Sequence, residues 1–509
     1  MIRHSRLLLT ALLTGLLLWA PLPFGGVTPW ALASLQVLAF AALALAALAA
    51  HPAELRPVLL PAGALAGIAL LGFLQSLAWP AALAALLSPG HAELSRRAAA
   101  LSGAPVDVVR LSLAPAASRS AALVWAAVAA ALLAGAAAGL RRSHRRWLAG
   151  AVLAGGIFQV LFGARDQFLR SRTLWGVEIP ASPRLHGTFV NPNHVAVYLE
   201  LGLAIAFAWG WWAARRVRDE RQVERRILLL AGPCLVWLTL FIGLALSGSR
   251  GGLIAAVAGV TAQGIMAAGA RRHWRWAFLG LGAAAVGLGV VVATIGLQGG
   301  LGRVVDTQAG DGSWGARVTE YGAVLKLWRR FPVTGAGLGA FRDAFPLVQP
   351  AELQGTWWHA HSDVLELLAT AGIPGVLLLL AGAAGLVFRL FKVQRGQGRS
   401  EDRAGALALL GVLTGLLIHE MLDFGLTMPA NAVTLAVLAG AAATASTAGA
   451  LRRSVSTEAD RARRDAAAAD ALDLEQVEPR PEGDVEGDVE AERLRRSRRQ
   501  RSKRRPVHP

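Results

Sequence analysis

Residues 228–246 read LLLAGPCLVWLTLFIGLAL, an apolar run without a charged side chain. A helix rises about 1.5 Å per residue, so a run of this length crosses a hydrocarbon core roughly 30 Å thick. Residues 277–297 form a second run of the same kind. Because lipid offers no partner to backbone N–H and C=O groups, such segments must be helical. The sequence therefore predicts a membrane protein built from helices.

The composition of the whole chain agrees with these two runs. Its 509 residues are 54% hydrophobic and 17% charged, and the mean hydropathy is +0.47. The net charge is +18, but the arginines cluster in short loops between apolar runs and in the C-terminal tail. This distribution is typical of membrane topology, so we expect no nucleic-acid partner. The single Cys234 excludes an internal disulfide and a cysteine-based metal cluster.

Apolar runs alternate with polar loops along most of the chain. They predict an all-α polytopic membrane protein with about twelve transmembrane helices. The predicted spans are 7–23, 30–50, 58–79, 120–140, 147–163, 195–213, 227–246, 251–269, 277–297, 364–388, 404–422 and 429–449.

The N-terminus has two interpretations. Arg3 and Arg6 precede an apolar core, as in a cleavable signal peptide. Pro21, Pro23 and a second apolar run that starts near Trp30 favour an uncleaved first span, which is the interpretation we adopt.

The loops predict the orientation of the chain. Basic clusters at 141–146, 215–226, 271–275 and 389–403 follow even-numbered spans, on the side of the N-terminal arginines. Because basic residues are retained in the cytoplasm, both termini are predicted to be cytoplasmic. The opposite side then receives three sizeable connections, 80–119, 164–194 and 298–363.

The connection 298–363 is the longest of the three, and loops of such length are usually functional. Within it, Val318, Tyr321, Leu325 and Trp328 recur at helical spacing. This stripe fits a short helix on the membrane surface, or equally a helix packed on the bundle.

The composition divides the chain into three regions. Residues 1–184 hold the first transmembrane helices, and 185–450 form a membrane core that includes the large loop. Residues 451–509 are rich in Arg, Asp, Glu and Ala and cannot bury a core, which predicts a disordered cytoplasmic tail. The tail is either solvated without a specific partner or held by its basic end on anionic lipids.

His359 and His361 close the large loop just before a span. An imidazole can act as a base on a hydroxyl, and the adjoining helix N-terminus, capped by Ser362 or Asp363, favours a bound phosphate. Metal ligation by His359, His361 and Asp363 is an alternative, but the spacing matches no strong metal signature. A purely structural histidine pair is another.

Two arginines are candidates for binding an anion. Arg250 lies at the outer junction of two apolar runs, where an arginine is costly unless it is paired or hydrated. The alternative is a snorkelling anchor. Arg317 opens the helix predicted in the large loop. The glycine run at 335–339 lacks the spacing of a nucleotide site and predicts a turn that returns the loop to the membrane.

Further polar residues lie near outer span ends. Asn191, Asn193 and His194 lead into the sixth predicted span. His419 and Asp423 are spaced i, i+4, which predicts a shared helix face where the carboxylate orients the imidazole.

These motifs together resemble those of the O-antigen ligase/polymerase superfamily, polytopic bacterial enzymes that transfer glycans from a lipid carrier outside the inner membrane. The similarity covers roughly residues 185–435. Ser362 departs from the pattern, because many members have Asn after the second histidine. Asn191-Pro192-Asn193-His194 and the segment Asp423 to Asn431 look like a subgroup linked to exopolysaccharide synthesis. The motifs that carry the resemblance are Ser249-Arg250-Gly251-Gly252, Arg317 with Phe331 to Phe341, and His359-Ala360-His361-Ser362 with its continuation to Gly375.

The resemblance implies a glycosyltransferase-C-like bundle in the bacterial inner membrane, with 298–363 as a periplasmic loop. It implies a glycan donor on undecaprenyl pyrophosphate and, as acceptor, a hydroxyl of another glycan, lipid A core or protein. His361, with His359 second, would be the base, and Arg250, brought near them, would clamp the pyrophosphate together with Arg317. No metal or cofactor is expected. The alternatives are a flippase for lipid-linked sugars and a non-catalytic export component. Asn191, Asn193, His194, His419 and Asp423 complete the predicted substrate-binding residues.

Overall fold

The computed structural model describes residues 2–103, 105–171, 173–179, 184–268, 314–445, 447 and 492–493. Residues Met1–Ala448 form one compact unit and Gly449–Pro509 a second. In the second unit only Glu492 and Arg493 are described, and both are helical. The predicted span 277–297 and the predicted disorder of the tail lie outside the described residues.

The described chain consists almost entirely of helices, joined by three single-turn 3₁₀ segments and four short strands. The strands are β1 (Ala78–Pro80), β2 (Val108–Arg110), β3 (Thr173–Leu174) and β4 (Val177–Glu178), paired as two antiparallel hairpins. The helices are α1 (Ile2–Trp19), α2 (Pro29–Ala49), α3 (Pro52–Leu55), α4 (Leu59–Gln75), α5 (Ala81–Leu87), α6 (Pro89–Ser102), α7 (Pro115–Gly139), α8 (Arg142–Leu169), α9 (Pro192–Val217), α10 (Val223–Ser247), α11 (Arg250–Ala268), α12 (Trp314–Arg330), α13 (Phe341–Ala344), α14 (Asp363–Arg395), α15 (Ser400–Leu422) and α16 (Pro429–Ala443).

The prediction of an all-α polytopic membrane protein is confirmed. Among the described residues, nine helices are long and apolar enough to cross a membrane, and two shorter apolar helices, His4–Trp19 and Pro429–Ala443, accompany them. Every predicted span except 277–297 coincides with one of these helices. The first predicted span packs into the bundle, with Leu9, Leu13 and Leu16 fully buried.

Helix α10 shows how its sequence gives a membrane helix. Leu228, Leu235 and Ile242 recur every seven residues and are 72%, 64% and 46% exposed. Leu240 and Leu244 are completely buried on the opposite side. Since no polar side chain interrupts the exposed stripe, α10 faces lipid on one side and the bundle on the other.

Small residues allow close helix packing inside the bundle. A Cβ added at Gly135 of α7 would lie 2.2 Å from the carbonyl oxygen of Val437 in α16. Gly440 of α16 approaches the carbonyl oxygen of Leu132 in the same way. Such contacts between backbones drive helix association where lipid removes the hydrophobic driving force. A second contact joins Gly259 of α11 to the backbone of Gly411 in α15.

The basic loops meet at one end of the bundle. Arg6 pairs with Glu54 at 2.8 Å, and Arg145 and Arg146 pair with Asp402 and Glu401 at the start of α15. The contacts therefore agree with the prediction that these loops share one side. The assignment of that side to the cytoplasm remains a prediction from the positive-inside rule.

Helix α12 packs against the polar end of the bundle. Ala323, Val324 and Leu327 are buried in a cluster with Phe331 and Phe345. Of the predicted stripe, Val318 is 53% exposed, whereas Tyr321, Leu325 and Trp328 are half-buried. The most buried face of the helix is therefore that of Ala323, Val324 and Leu327, which the predicted stripe did not include.

The glycine run at 335–339 forms the predicted turn. Gly335, Gly337 and Gly339 all have positive φ, which favours glycine. The amides of Ala336 and Gly337 donate to the carbonyls of Ala369 and Thr370 in α14, at 2.8 and 3.0 Å. The turn thus joins the large loop to a membrane helix.

Candidate active site

Two histidine–carboxylate pairs lie side by side at the N-terminal end of α14. His361 Nδ1 is 3.1 Å from a carboxylate oxygen of Glu320, and His359 Nδ1 is 3.1 Å from one of Glu366. The Glu320 side chain is completely buried, whereas His361 is 31% exposed. A carboxylate on Nδ1 fixes the ring and its tautomer, and it leaves Nε2 as the basic nitrogen.

The backbone at His361 is unusual. Its φ is +43°, a left-handed conformation that non-glycine residues seldom adopt. The Tyr321 hydroxyl donates to the His361 carbonyl at 2.9 Å and holds this turn. Ser362 follows as the N-cap of α14 and accepts from the amide of Leu365, as the sequence predicted. Such strain is found where the surrounding structure fixes a side chain for function.

Phe424 forms an aromatic platform under the histidines. Its ring is stacked on His359, with centroids 4.7 Å apart and planes 22° apart. It meets His361 edge-on at 5.2 Å and His194 edge-on at 4.8 Å. The ring therefore fixes the spacing between the two histidine–carboxylate pairs.

Asp363 and Glu420 hold the segment that carries Phe424. The amide of Leu426 donates to both carboxyl groups, at 2.8 and 3.2 Å. Glu420 also accepts from the amide of Gly425, and Asp363 accepts from the amide of Thr427. These hydrogen bonds fix the backbone of residues 425–427, and with it the position of the adjacent Phe424.

A second chain of polar contacts starts at Arg317. Its guanidinium bonds the Leu422 carbonyl and lies 3.6 Å from the carboxylate of Asp423. Asp423 also accepts from the side-chain amide of Asn193, whose own oxygen accepts from Arg184. Asn191 caps α9 by accepting from the amide of Asn193 at 2.8 Å. The structure thus brings the predicted residues Arg317, Asp423, Asn193 and Asn191 together.

Arg250 is the first residue of α11 and is exposed. The preceding turn is tied to the same chain of contacts, since Arg184 donates to the Ser247 carbonyl at 2.6 Å and to Asn193. The Ser249 hydroxyl accepts from the amide of Gly252 and caps the helix. Arg250 therefore lies at the end of the bundle that holds the histidines.

The predicted pairing of His419 with Asp423 is wrong. Helix α15 ends at Leu422 and Asp423 is extended, so the two residues do not share a helix face. His419 Nδ1 instead bonds Glu200 of α9 at 2.6 Å. His419 is completely buried and His194 is 6% exposed. Each would therefore act on a substrate through another residue.

Burial and neighbouring charges shift the pKa values of Glu320 and His359. Burial raises the pKa of Glu320 above its usual value, against the opposing effects of the His361 hydrogen bond and the Arg317 charge. Burial disfavours the charged form of His359, but the Glu366 carboxylate more than offsets this and raises its pKa.

Within the described residues, no three His, Cys, Asp or Glu side chains are arranged to hold a metal ion.

Sequence reasoning missed the partners of the histidines. Glu366 belongs to the motif that begins at His359, so its spacing was a usable signal. Glu320 lies one helical turn after Arg317, outside the apolar stripe of the predicted helix. Glu200 interrupts an otherwise apolar span, which marks a functional candidate in a membrane helix.

A comparison with protein families gave one match. Residues 234–380 match the family model described as O-Antigen ligase. A search of curated proteins gave no match. The matched segment runs from α10 through the histidine pairs into α14, so it contains Arg250, Arg317, His359 and His361. Over this segment the chain is similar to the O-antigen ligase family, which supports the resemblance to the O-antigen ligase/polymerase superfamily.

Proposed function

We propose that the protein transfers or polymerises a glycan from an undecaprenyl-pyrophosphate carrier to an acceptor hydroxyl, on the periplasmic face of the bacterial inner membrane. The family supports glycan transfer in polysaccharide biosynthesis. The observation that carries the finer proposal is the His361–Glu320 pair, a part-exposed imidazole oriented by a buried carboxylate.

In this proposal His361 Nε2 takes the proton of the acceptor hydroxyl as its oxygen attacks the anomeric carbon. The bond between that carbon and the phosphate oxygen breaks, and undecaprenyl pyrophosphate leaves with the electron pair. The Glu320 carboxylate stabilises the imidazolium that forms. His359 with Glu366 is the second candidate base.

Arginines would neutralise the leaving group. Pyrophosphate gains negative charge as the bond breaks, and a guanidinium binds phosphate oxygens in pairs. Arg317 is 24% exposed and already positioned by Asp423 and the Leu422 carbonyl. Arg250 is exposed at the start of α11. The two come from different elements, so they would approach the pyrophosphate from different directions.

The test of the base uses purified protein with a synthetic undecaprenyl-pyrophosphate-linked glycan and measures release of undecaprenyl pyrophosphate. His361→Ala should abolish release, and Glu320→Gln should lower turnover about 10- to 100-fold, because it keeps the hydrogen bond and loses the charge. His51→Ala, at the basic end of the bundle, is the control. Wild-type turnover in His361→Ala would refute the proposal, and translocation without release would indicate a flippase.

Arg317→Ala tests the clamp separately. Loss of one donor to a developing oxyanion lowers turnover by about 10²- to 10³-fold. Arg317→Lys should recover only part of this, because lysine cannot contact Asp423 and the Leu422 carbonyl together in the same geometry. The measurement is turnover at saturating donor. Unchanged turnover in Arg317→Ala would remove this residue from the proposal.

A further inference from the structure

His419 and Glu200 form a buried pair beneath the candidate active site. Their side chains join α15 to α9 at 2.6 Å, and they are 0% and 6% exposed. A buried ionisable pair inside a membrane bundle is expensive and contributes little to stability, so a specific role is expected. Among the described residues, His419 Nε2 and Glu200 Oε2 have no hydrogen-bond partner.

The pair lies directly against the two glycines that follow Arg250. A Cβ at Gly251 would be 3.2 Å from Cδ2 and 3.4 Å from Nε2 of His419. A Cβ at Gly252 would be 3.1 Å from Glu200 Oε1 and 3.0 Å from the side chain of Ala196. The first turn of α11 therefore rests on both partners of the pair.

Deeper in the membrane, α11 is already held to α15. Gly259 contacts the backbone of Gly411, and Gly415 contacts the carbonyl of Ala255. Those contacts bring the two helices together but leave the outer end of α11 to be fixed by other residues. At that end, the hydrogen-bonded pair of His419 and Glu200 lies so close to the first turn that a Cβ at either glycine would displace its neighbours by a few tenths of an ångström.

We propose that His419 and Glu200 are positioning residues that set the direction of Arg250 toward the pyrophosphate of the donor. The inference rests on the proposed function, in which Arg250 contacts that group. Because Gly251 is adjacent to Arg250, a shift of the first turn moves the guanidinium directly. A displacement of about 1 Å at a group that aligns a substrate can lower the rate about 10²-fold.

Gly251→Ala is the first variant, and Gly405→Ala is its matched control. Gly405 lies in α15, the helix that carries His419, and an added Cβ there meets nothing within 4 Å. Gly251→Ala should raise the KM for the lipid-linked donor or lower turnover by about 10- to 100-fold, with the KM for the acceptor unchanged. Gly405→Ala should behave as the wild type. A wild-type donor KM and turnover in Gly251→Ala would overturn the inference.

The pair itself is tested with two substitutions at one position. Glu200→Gln keeps an acceptor for His419 Nδ1–H, so the donor KM should stay within about twofold of the wild type. Glu200→Ala removes that acceptor and should reproduce the defect of Gly251→Ala. Equal donor KM values in the two variants would overturn the inference, even if Gly251→Ala fails to fold.

A third variant separates positioning from general stability. Gly440→Ala forces a Cβ to within 2.0 Å of the Leu132 carbonyl at the α7–α16 contact. It should lower Tm without changing the donor KM of the folded fraction. A purely structural role of His419 and Glu200 predicts instead that every destabilised variant shows the same change in donor KM.

Arg250→Ala distinguishes the positioning role from the proposed function. Normal activity in that variant refutes the arginine clamp itself, while loss of activity there with a normal Glu200→Ala refutes only the positioning role.

Discussion

His359 and His361 each use Nδ1 to bond a glutamate, and each packs against Phe424. The two pairs differ in their surroundings. Glu320 is fully buried beneath the more exposed His361, whereas Glu366 also accepts from the amide of Ala360 and is part of the loop's own structure. We infer that the His361 pair serves the acceptor and that the His359 pair mainly shapes the loop.

The raised pKa of His359 gives a prediction at the residue scale. Because the folded-state value lies above the unfolded value near 6.5, the pair stabilises the protein fully below that pH and less as pH rises through the folded-state pKa. The Tm difference between wild type and His359→Gln should therefore be larger at pH 6 than at pH 9. Thermal unfolding in detergent at both pH values measures it. In a Glu366→Gln background burial acts without the opposing carboxylate, so the dependence should disappear or reverse. With Glu366 present, a difference that grows with pH would contradict the assignment.

At the scale of elements, α14 connects the site to the membrane. Its first turn carries Ser362 and Asp363, while its interior bends at Gly372, where φ is +65° and ψ −167°. Pro374 follows within the same helix and supplies no backbone N–H. The segment just before the glycine turn packs against this bend, because the amide of Ile373 donates to the Pro332 carbonyl at 3.2 Å. The loop and the helix therefore form one rigid corner.

Gly372→Ala should break this corner. A Cβ there would lie 2.1 Å from the Val333 carbonyl oxygen, and the positive φ adds strain. A clash with backbone at a left-handed position costs several kcal/mol, roughly 2–4 here. We expect a clear fall in Tm and in the yield of monodisperse protein by size exclusion in detergent. Gly322→Ala, where an added Cβ meets nothing within 4 Å, is the control. A Tm equal to the wild type would show that the corner is not rigid.

At the scale of the whole compact unit, the paired charged and polar side chains gather at its two ends. Arginines pair with Asp402 and Glu401 at one end, and histidines pair with glutamates at the other. Between them the helices pack through small residues and leave large apolar side chains toward lipid. The contacts between α7 and α16 join residues from 1–184 to residues from 185–450, so both predicted regions pack into one unit.

This division gives a topology that labelling can measure. In a Cys234→Ser background, Glu352→Cys should react with a membrane-impermeant maleimide added outside the inner membrane. Gln397→Cys, in the basic loop before α15, should react only after that membrane is opened. Both positions are exposed, so accessibility to the reagent decides the result. The reverse pattern would invert the orientation and place the histidines in the cytoplasm.

The sequence by itself determined the membrane-spanning helices of the described chain, their approximate bounds and the grouping of the basic loops. These follow from the length of apolar runs and the position of charges, which are local properties of the chain. It also gave His359 and His361 as candidates, because they lie where the large loop meets a span, and Arg317 through its motif in that loop.

Only the tertiary structure decided which residues meet. Glu320 is 41 positions from His361, Glu200 is 219 from His419, and Asn193 is 230 from Asp423. Helical spacing predicted that His419 pairs with Asp423. Helix α15 ends at Leu422, so Asp423 lies outside the helix, and His419 bonds Glu200 of α9 instead. Such pairs depend on where helices end and how closely glycines let them approach. Neither property is a pattern within one segment, so the partners of the histidines emerged only when the helices were packed.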